Sequence, residues 1–447
     1  MTTSRIRAAV GIGLAALALG GCAYLDTPPG LAPITQPAPA GPAVTMPPAP
    51  SIPILAAAAR PVTILVSIDG FRPDYLDRGV TPTLSRLAAT GVSAAMIPSF
   101  PSKTYPNHWT IVTGLVPDRH GIVANSMESP TDPADRFTMA TDTPAWWDEA
   151  EPIWVTAEEA GIRTSTMFWP GANVGWGGKA DGPHGLVTGG IRPSDWQQFN
   201  QAVTGNSRVD AVIDWLRRPA ATRPRFVTLY FDTVDTAGHE GGPDAPATTQ
   251  AVADVDASIT RLVDGLRTLG QPANLVIVAD HGMAATSSER TIALDTLAGP
   301  ADYRIGETGP YASLYAVRGH EAALERRLLG HHAHVDCWRK RDIPARFHYG
   351  TNPRVPPYLC LAETGWLVLK TRPDKPFAGG NHGYDNRSPA MRALFIANGP
   401  AFTGGRKLSD FSNTDVAPLL RDLIGLRAGD NLDGTDAPFR NVLKGRR

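Results

Sequence analysis

Val62-Thr63-Ile64-Leu65-Val66-Ser67-Ile68-Asp69-Gly70 sets a pattern that the rest of the chain repeats. The apolar, β-branched run from Val62 to Ile68 marks a strand buried on both faces, as in a parallel sheet. It ends in an aspartate and a glycine. The same grammar returns downstream. Phe226 to Phe231 leads into Asp232 and Asp235, and Leu275 to Ala279 leads into Asp280-His281-Gly282. Thr164 to Phe168 and Ala393 to Ala397 read as further strands. Helical patterns lie between them. Residues 82–91 and Ile153 to Ala160 are short helices closed by glycines. From about Thr248 to Leu269, Val252, Val255, Ile259, Leu262, Val263 and Leu266 recur at helical spacing until Gly270. Strands alternating with helices predict an α/β fold, a doubly wound and mostly parallel sheet with helices on both faces. From about 300 to 372 the pattern is irregular and rich in Arg, His and Pro, which reads as an inserted subdomain.

Outside this region the chain changes character. Residues 1–22 read as an export signal: Arg5 and Arg7 precede a short apolar stretch from Ala8 to Leu19. Leu19-Gly20-Gly21-Cys22 resembles the bacterial lipoprotein cleavage box, which predicts an acylated Cys22 anchoring the protein in a membrane. An aspartate after the cysteine would favour the inner membrane; Ala23 stands there, so a periplasmic or outer-membrane location is expected. Residues 23–60 are a linker dominated by Pro, Ala and Gly from Pro28 to Pro53. The catalytic domain is expected over 61–447. A net charge of −1 gives no reason to expect nucleic acid as a bulk partner. Cys337 and Cys360, in an exported chain, form a plausible disulfide.

Asp69, Asp235 and Asp280 fall just beyond strand ends, where open α/β sheets bind their ligands. His239 follows Asp235 by four residues, His281 follows Asp280 directly, and His382 lies in the glycine-rich turn Asn381 to Asp385. Aspartate and histidine without cysteine suit zinc bound through N and O. Three Asp, three His and the hydroxyl of Thr104 are too many for one tetrahedral ion and suit two Zn²⁺. Any one of these clusters alone reads as a structural turn; their joint placement carries the argument. His331, His332 and His334 read as a solvated loop. In Pro98 to His108 an apolar segment enters a proline-punctuated turn, and Pro106 opens a helix. Thr104 then sits at a helix N-terminus. There it is either an N-cap or a hydroxyl that becomes an alkoxide beside a phosphate.

Read together, Val66–Arg72, Lys103–His108, His120–Asn125, Asp235–Pro243, Ala279–Met283 and Asn381–Asp385 resemble the nucleotide pyrophosphatase/phosphodiesterase family of the alkaline phosphatase superfamily. They come in the family's order and span most of the chain beyond Pro61. The resemblance implies that Asp69, Thr104, Asp280 and His281 hold one zinc, and that Asp235, His239 and His382 hold the other. It implies Thr104 as nucleophile, with Asn125 and the backbone N–H of Tyr105 on a nonbridging phosphate oxygen. Two ions about 4 Å apart would clamp an in-line displacement at phosphorus. Monoesterase relatives use serine and add an arginine or a further metal, so a threonine without a clear partner favours diesters. The family divides between nucleotide and lipid head-group substrates. Tyr105, Phe137 and Tyr230 are candidates to stack on a base, whereas Trp146, Trp147, Trp169 and Trp176 leave a choline cage open. A non-catalytic zinc-binding envelope lipoprotein is the alternative of a different class.

Overall fold

The computed structural model describes residues 60–182 and 185–445. The expected signal, Cys22 and all but the last residue of the linker lie outside them. The longer strands of the central sheet before the insert are β1 (Val62–Ile68), β2 (Val92–Ile97), β3 (Thr164–Met167), β4 (Phe226–Phe231) and β5 (Ala273–Val278). A second sheet contains β6 (Tyr303–Glu307), β7 (Tyr311–Ala316), β8 (Val335–Arg339) and β9 (Tyr358–Ala362). The chain then returns to the central sheet as β10 (Ala393–Asn398). The central order is β2-β10-β5-β1-β4-β3, with short strands at both edges.

β1 is buried along its whole length, as its unbroken apolar run predicts. It pairs in parallel with β5 on one side and β4 on the other, and β4 pairs in parallel with β3. β10 runs antiparallel to both β5 and β2. The sheet is therefore mostly parallel, as expected, with one reversed strand that period alone cannot orient. β2 alternates buried and half-buried residues, so its signal is the weaker one of a half-covered strand.

The helices that position the site are α1 (Pro82–Thr90), α2 (Thr104–Thr113), α3 (Ile153–Glu159), α4 (Gly205–Leu216), α5 (Thr233–Gly241) and α6 (Pro246–Leu269). α6 buries Val252, Val255, Ile259, Leu262 and Leu266 and stops at Gly270, whose φ of 60° suits glycine. Buried Asp256 on α6 accepts hydrogen bonds from the N–H groups of Thr83 and Leu84, capping α1 from a distance. α2 begins at Thr104, two residues before the expected Pro106; its N-cap is Lys103. Pro106 is thus the third helical residue, where a missing N–H still costs nothing. The N-cap reading of Thr104 gives way: its hydroxyl is free of backbone duty.

The second sheet is antiparallel, in the order β6-β7-β9-β8, and Gly330–His332 adds a short edge strand beside β8, so His331 and His332 lie on a strand rather than in the expected loop. Cys337 on β8 faces Cys360 on β9 and the two form a disulfide, their Cα atoms 4.0 Å apart.

Candidate active site

Three loops at the C-terminal ends of β1, β4 and β5 converge with the N-terminus of α2. Asp69 follows β1 and Asp280 follows β5; both are fully or almost fully buried. Asp235 lies in the first turn of α5, one helical turn before His239, so both side chains share one face. His382 arrives from the turn after Ala378–Asn381. His281 Nε2 lies 2.9 Å from Asp280 Oδ2, 3.4 Å from Asp69 Oδ1 and 3.3 Å from Thr104 Oγ1. His382 Nε2 lies 3.6 Å from Asp235 Oδ1 and 3.1 Å from His239 Nε2. The rings of His281 and His382 stack at 3.5 Å. All seven expected ligand groups therefore meet in one place.

The electrostatics of that place ask for a cation. Asp69 Oδ1, Asp235 Oδ1 and Asp280 Oδ2 are buried without a hydrogen-bond donor among the described residues. Burial pushes the pKa of Asp69 well up, and Asp280 and Asp235 push it further. Asp280 is raised by burial and then by Asp235. Burial pushes Asp235 up to about 6. An anionic cluster of this kind is costly unless it is neutralised.

The imidazoles complete the test. A backbone carbonyl only accepts, so each ring nitrogen beside one must be the N–H. Nδ1 of His239 donates to Gly380, Nδ1 of His281 to Gly282 and Nδ1 of His382 to Ser102, each at 2.9 Å. That fixes the tautomer and leaves Nε2 as a lone pair in all three, the arrangement of a ligating histidine. At 3.1 Å the lone pairs of His239 and His382 face each other with no proton between them, a contact a shared cation relieves. Burial lowers His239 to about 4 and holds His382 well below its usual value, so both are neutral near neutral pH. Ligand atoms of Asp235, His281 and His382 lie within 4.8 Å of one another, as do those of Asp69, His108 and Asp280. His281 stands between the two halves.

His108 was not expected at the site, and its bonds exclude it as a ligand. Its Nδ1 donates to the Thr104 carbonyl and its Nε2 accepts from the Ser67 hydroxyl, both at 2.8 Å. It ties the first turn of α2 to β1 and so places Thr104. Asn107 does the same for the preceding turn: its carboxamide donates to the Pro101 and Lys103 carbonyls and accepts from the Ser99 N–H.

A cavity of about 410 Å³ opens from Asp69, Thr104 and Asp235. Tyr105, Phe168, Trp169, Phe199 and Tyr230 give it aromatic walls, and Asn173, Gln197, Gln198 and Gln201 give it amide groups. Several expectations change here. Tyr105 lines the cavity. Phe137 does not: it is fully buried behind Tyr105, in contact with Trp146 and Trp147. Tyr230 borders the cavity, but its hydroxyl is committed to Asp69 Oδ2 at 2.6 Å. Phe199, 47 % exposed, stands at the wall instead, and its isolated position in a polar stretch hid it. Buried Arg208 holds that wall, bonding the Tyr230 carbonyl and Asp232 with its guanidinium near Phe168 and Phe199. Trp147 and Trp169 border the cavity while Trp146 and Trp176 do not, so the four tryptophans form no cage. The Tyr105 N–H donates to Asn125 Oδ1 at 2.9 Å. The two expected phosphate donors are thus bonded to each other, and the Asn125 amide nitrogen is the one left over.

A family model described as type I phosphodiesterase/nucleotide pyrophosphatase matches residues 63–385. An uncharacterized pyrophosphatase/phosphodiesterase of Schizosaccharomyces pombe is 37% identical over 392 residues, covering 82% of this chain and 78% of that one. The bis(5′-adenosyl)-triphosphatase of Xenopus laevis is 34% identical over 377 residues, covering 83% and 80%. Among solved structures, an inactive threonine-to-alanine variant of murine ectonucleotide pyrophosphatase/phosphodiesterase 5, in complex with AMP, superposes with a TM-score of 0.79. It is 33% identical and the match covers 86% of this chain and 100% of that one.

Proposed function

The chain belongs to the type I phosphodiesterase/nucleotide pyrophosphatase family, and from that premise we propose that it hydrolyses nucleotide phosphodiesters and pyrophosphates to nucleoside 5′-monophosphates through a phosphothreonine at Thr104. The observation that carries this reading is the Thr104 hydroxyl, 3.3 Å from His281 Nε2, between the donor-less carboxylates and the aromatic cavity. Two Zn²⁺ fit the donor set: Asp69, Thr104, Asp280 and His281 would hold one, and Asp235, His239 and His382 the other. When bound, these ions supply Lewis acidity, lowering the pKa of a hydroxyl and neutralising charge on phosphoryl and leaving oxygens.

The chain's own residues do the rest. The base and ribose enter the cavity against Tyr105 and Phe199. His108 and Asn107 hold the first turn of α2, so Thr104 Oγ meets phosphorus in line. The O–P bond to Thr104 forms as the bond to the leaving oxygen breaks. Water then attacks the same phosphorus and frees Thr104. The Asn125 amide nitrogen donates to a nonbridging oxygen, held in place by the Tyr105 N–H; such a donor is worth about 3 kcal/mol in a transition state. The murine relative binding AMP, and being inactive without one threonine, supports both the product and the nucleophile.

Thr104→Ala tests the assignment. It should abolish turnover while the zinc content stays near that of the wild type. Rapid quenching of the wild type should trap a nucleotidyl adduct on the peptide containing Thr104. Near-wild-type rates in the variant, with zinc intact, would overturn it. Export with acylation at Cys22 belongs to the same reading on sequence grounds alone. Labelled fatty acid should enter the protein and be lost in Cys22→Ser; equal labelling of both would exclude that anchor.

A further inference from the structure

Ser102 is fully buried, two residues before the proposed nucleophile, in the turn that enters α2. It faces the turn that carries His382, and its hydroxyl and carbonyl are both spent there. The hydroxyl donates to the Tyr384 carbonyl at 2.8 Å, and the carbonyl accepts from His382 Nδ1 at 2.9 Å. Among the described residues no other donor reaches the Tyr384 carbonyl. Two further contacts close the seam. The Asn386 amide donates to the Pro98 carbonyl at 2.9 Å. Gly383, at a φ of 117°, lies directly on the Lys103 stem, where a Cβ would meet Lys103 Cε at 2.7 Å.

The two turns belong to different halves of the site. Thr104 stands with Asp69, Asp280 and His281, whereas His382 stands with Asp235 and His239. Asn107 ties the nucleophile turn to itself; Ser102 ties it to a segment 280 residues downstream. Behind that segment, the Tyr384 ring is buried in the core of the second sheet with Leu294 and Met391. The His382 turn is thus anchored behind and clamped in front. The Ser102 carbonyl orients the imidazole, and the Ser102 hydroxyl holds the backbone that carries it.

We propose that Ser102 is a positioning residue that keeps His382 Nε2 in register with Thr104 Oγ, joining the two halves of the site across the seam. The inference rests on the two-zinc reading above. Without the hydroxyl, the buried Tyr384 carbonyl loses its donor and the turn relaxes away from the nucleophile. A small displacement is costly where a nucleophile and a ligand must meet one phosphoryl group.

Calorimetric zinc titration of chelator-stripped protein reads this without turnover. Ser102→Ala should weaken one of the two binding steps by roughly ten- to a hundredfold and leave the other within about twofold. Ser102→Thr, which keeps the hydroxyl, should restore the lost affinity. Ser102→Cys, close in size and with a weak S–H donor, should fall between them, and it gives a reading even where Ser102→Ala does not fold. In a His382→Ala background, Ser102→Ala should change zinc affinity by less than about twofold, because the ligand it positions is gone. At saturating zinc, the kcat of Ser102→Ala should fall about tenfold with KM nearly unchanged. Equal losses at both binding steps, or a lower melting temperature with both steps unchanged, would overturn the proposal and leave Ser102 a residue of the core. A wild type that binds fewer than two zinc ions would overturn the two-zinc reading itself, and this inference with it.

Discussion

At the mouth of the central sheet, Asp69, Asp235 and Asp280 crowd together, each with a carboxylate oxygen that no donor among the described residues reaches. Beside the second sheet, Glu128 is also shielded from solvent, though closer to the surface, and Arg304 of β6 grips it with two nitrogens while Arg136 adds a third. The pKa values follow. The Arg304 hydrogen bonds hold Glu128 below its usual value, whereas burial and mutual repulsion push Asp69 and Asp280 above theirs. Glu128 shows how this chain handles a buried acid when only stability is at stake. The sheet mouth breaks that rule three times in one place, and such local conflict is the mark of a site that serves chemistry.

The contrast can be broken by mutation. The largest effect is expected at Asp280. Asp280→Asn removes one repelling charge and one proposed ligand. Turnover should fall by roughly a hundred- to a thousandfold, while the chelator-treated variant melts several degrees above chelator-treated wild type. A metal-free variant no more stable than wild type would show that no repulsion is stored there. Tyr230→Phe is the middle case. It removes the hydrogen bond to Asp69 Oδ2 and should cost about ten- to a hundredfold in zinc affinity or activity, with little change in melting temperature. An unchanged zinc affinity together with an unchanged rate would reduce Tyr230 to a wall residue. The smallest effect on catalysis belongs to Glu128→Gln. It should lower the melting temperature by a few degrees and leave kcat untouched. A large loss of kcat would mean that the two regions are coupled.

Much of this was legible in the chain. Strand ends carrying aspartate announced the sheet and its active edge together, because buried parallel strands are unbroken apolar runs and their ends are few. The expected ligand groups stood in short glycine-bounded clusters, and those clusters meet. What stayed hidden has physical reasons. β10 reads as a strand, but no local pattern tells its direction. Phe137 and Tyr230 looked like base-stacking rings, since an aromatic residue near a site gives no sign of which way it faces. Phe199 and Arg208 come from a polar stretch and a helix interior, joined to the site only by folding. His108 was in view within its motif. Its role needed both ring nitrogens to be followed to Thr104 and Ser67.

If the crowded carboxylates exist to hold two cations, zinc titration of chelator-stripped protein will show it. Asp235 is raised from 3.8 to about 6, so the metal-free fold binds more protons than the unfolded chain across that window. Its contribution to stability therefore falls as pH rises through the window. Zinc must displace those protons. His239, at about 4, has already lost its own proton. Calorimetry should find two zinc ions bound per chain with release of protons, and the zinc-induced gain in melting temperature should grow from about pH 5 to about pH 7. Fewer than two ions per chain, or a gain that does not change with pH, would mean that the carboxylates are not there to hold two cations.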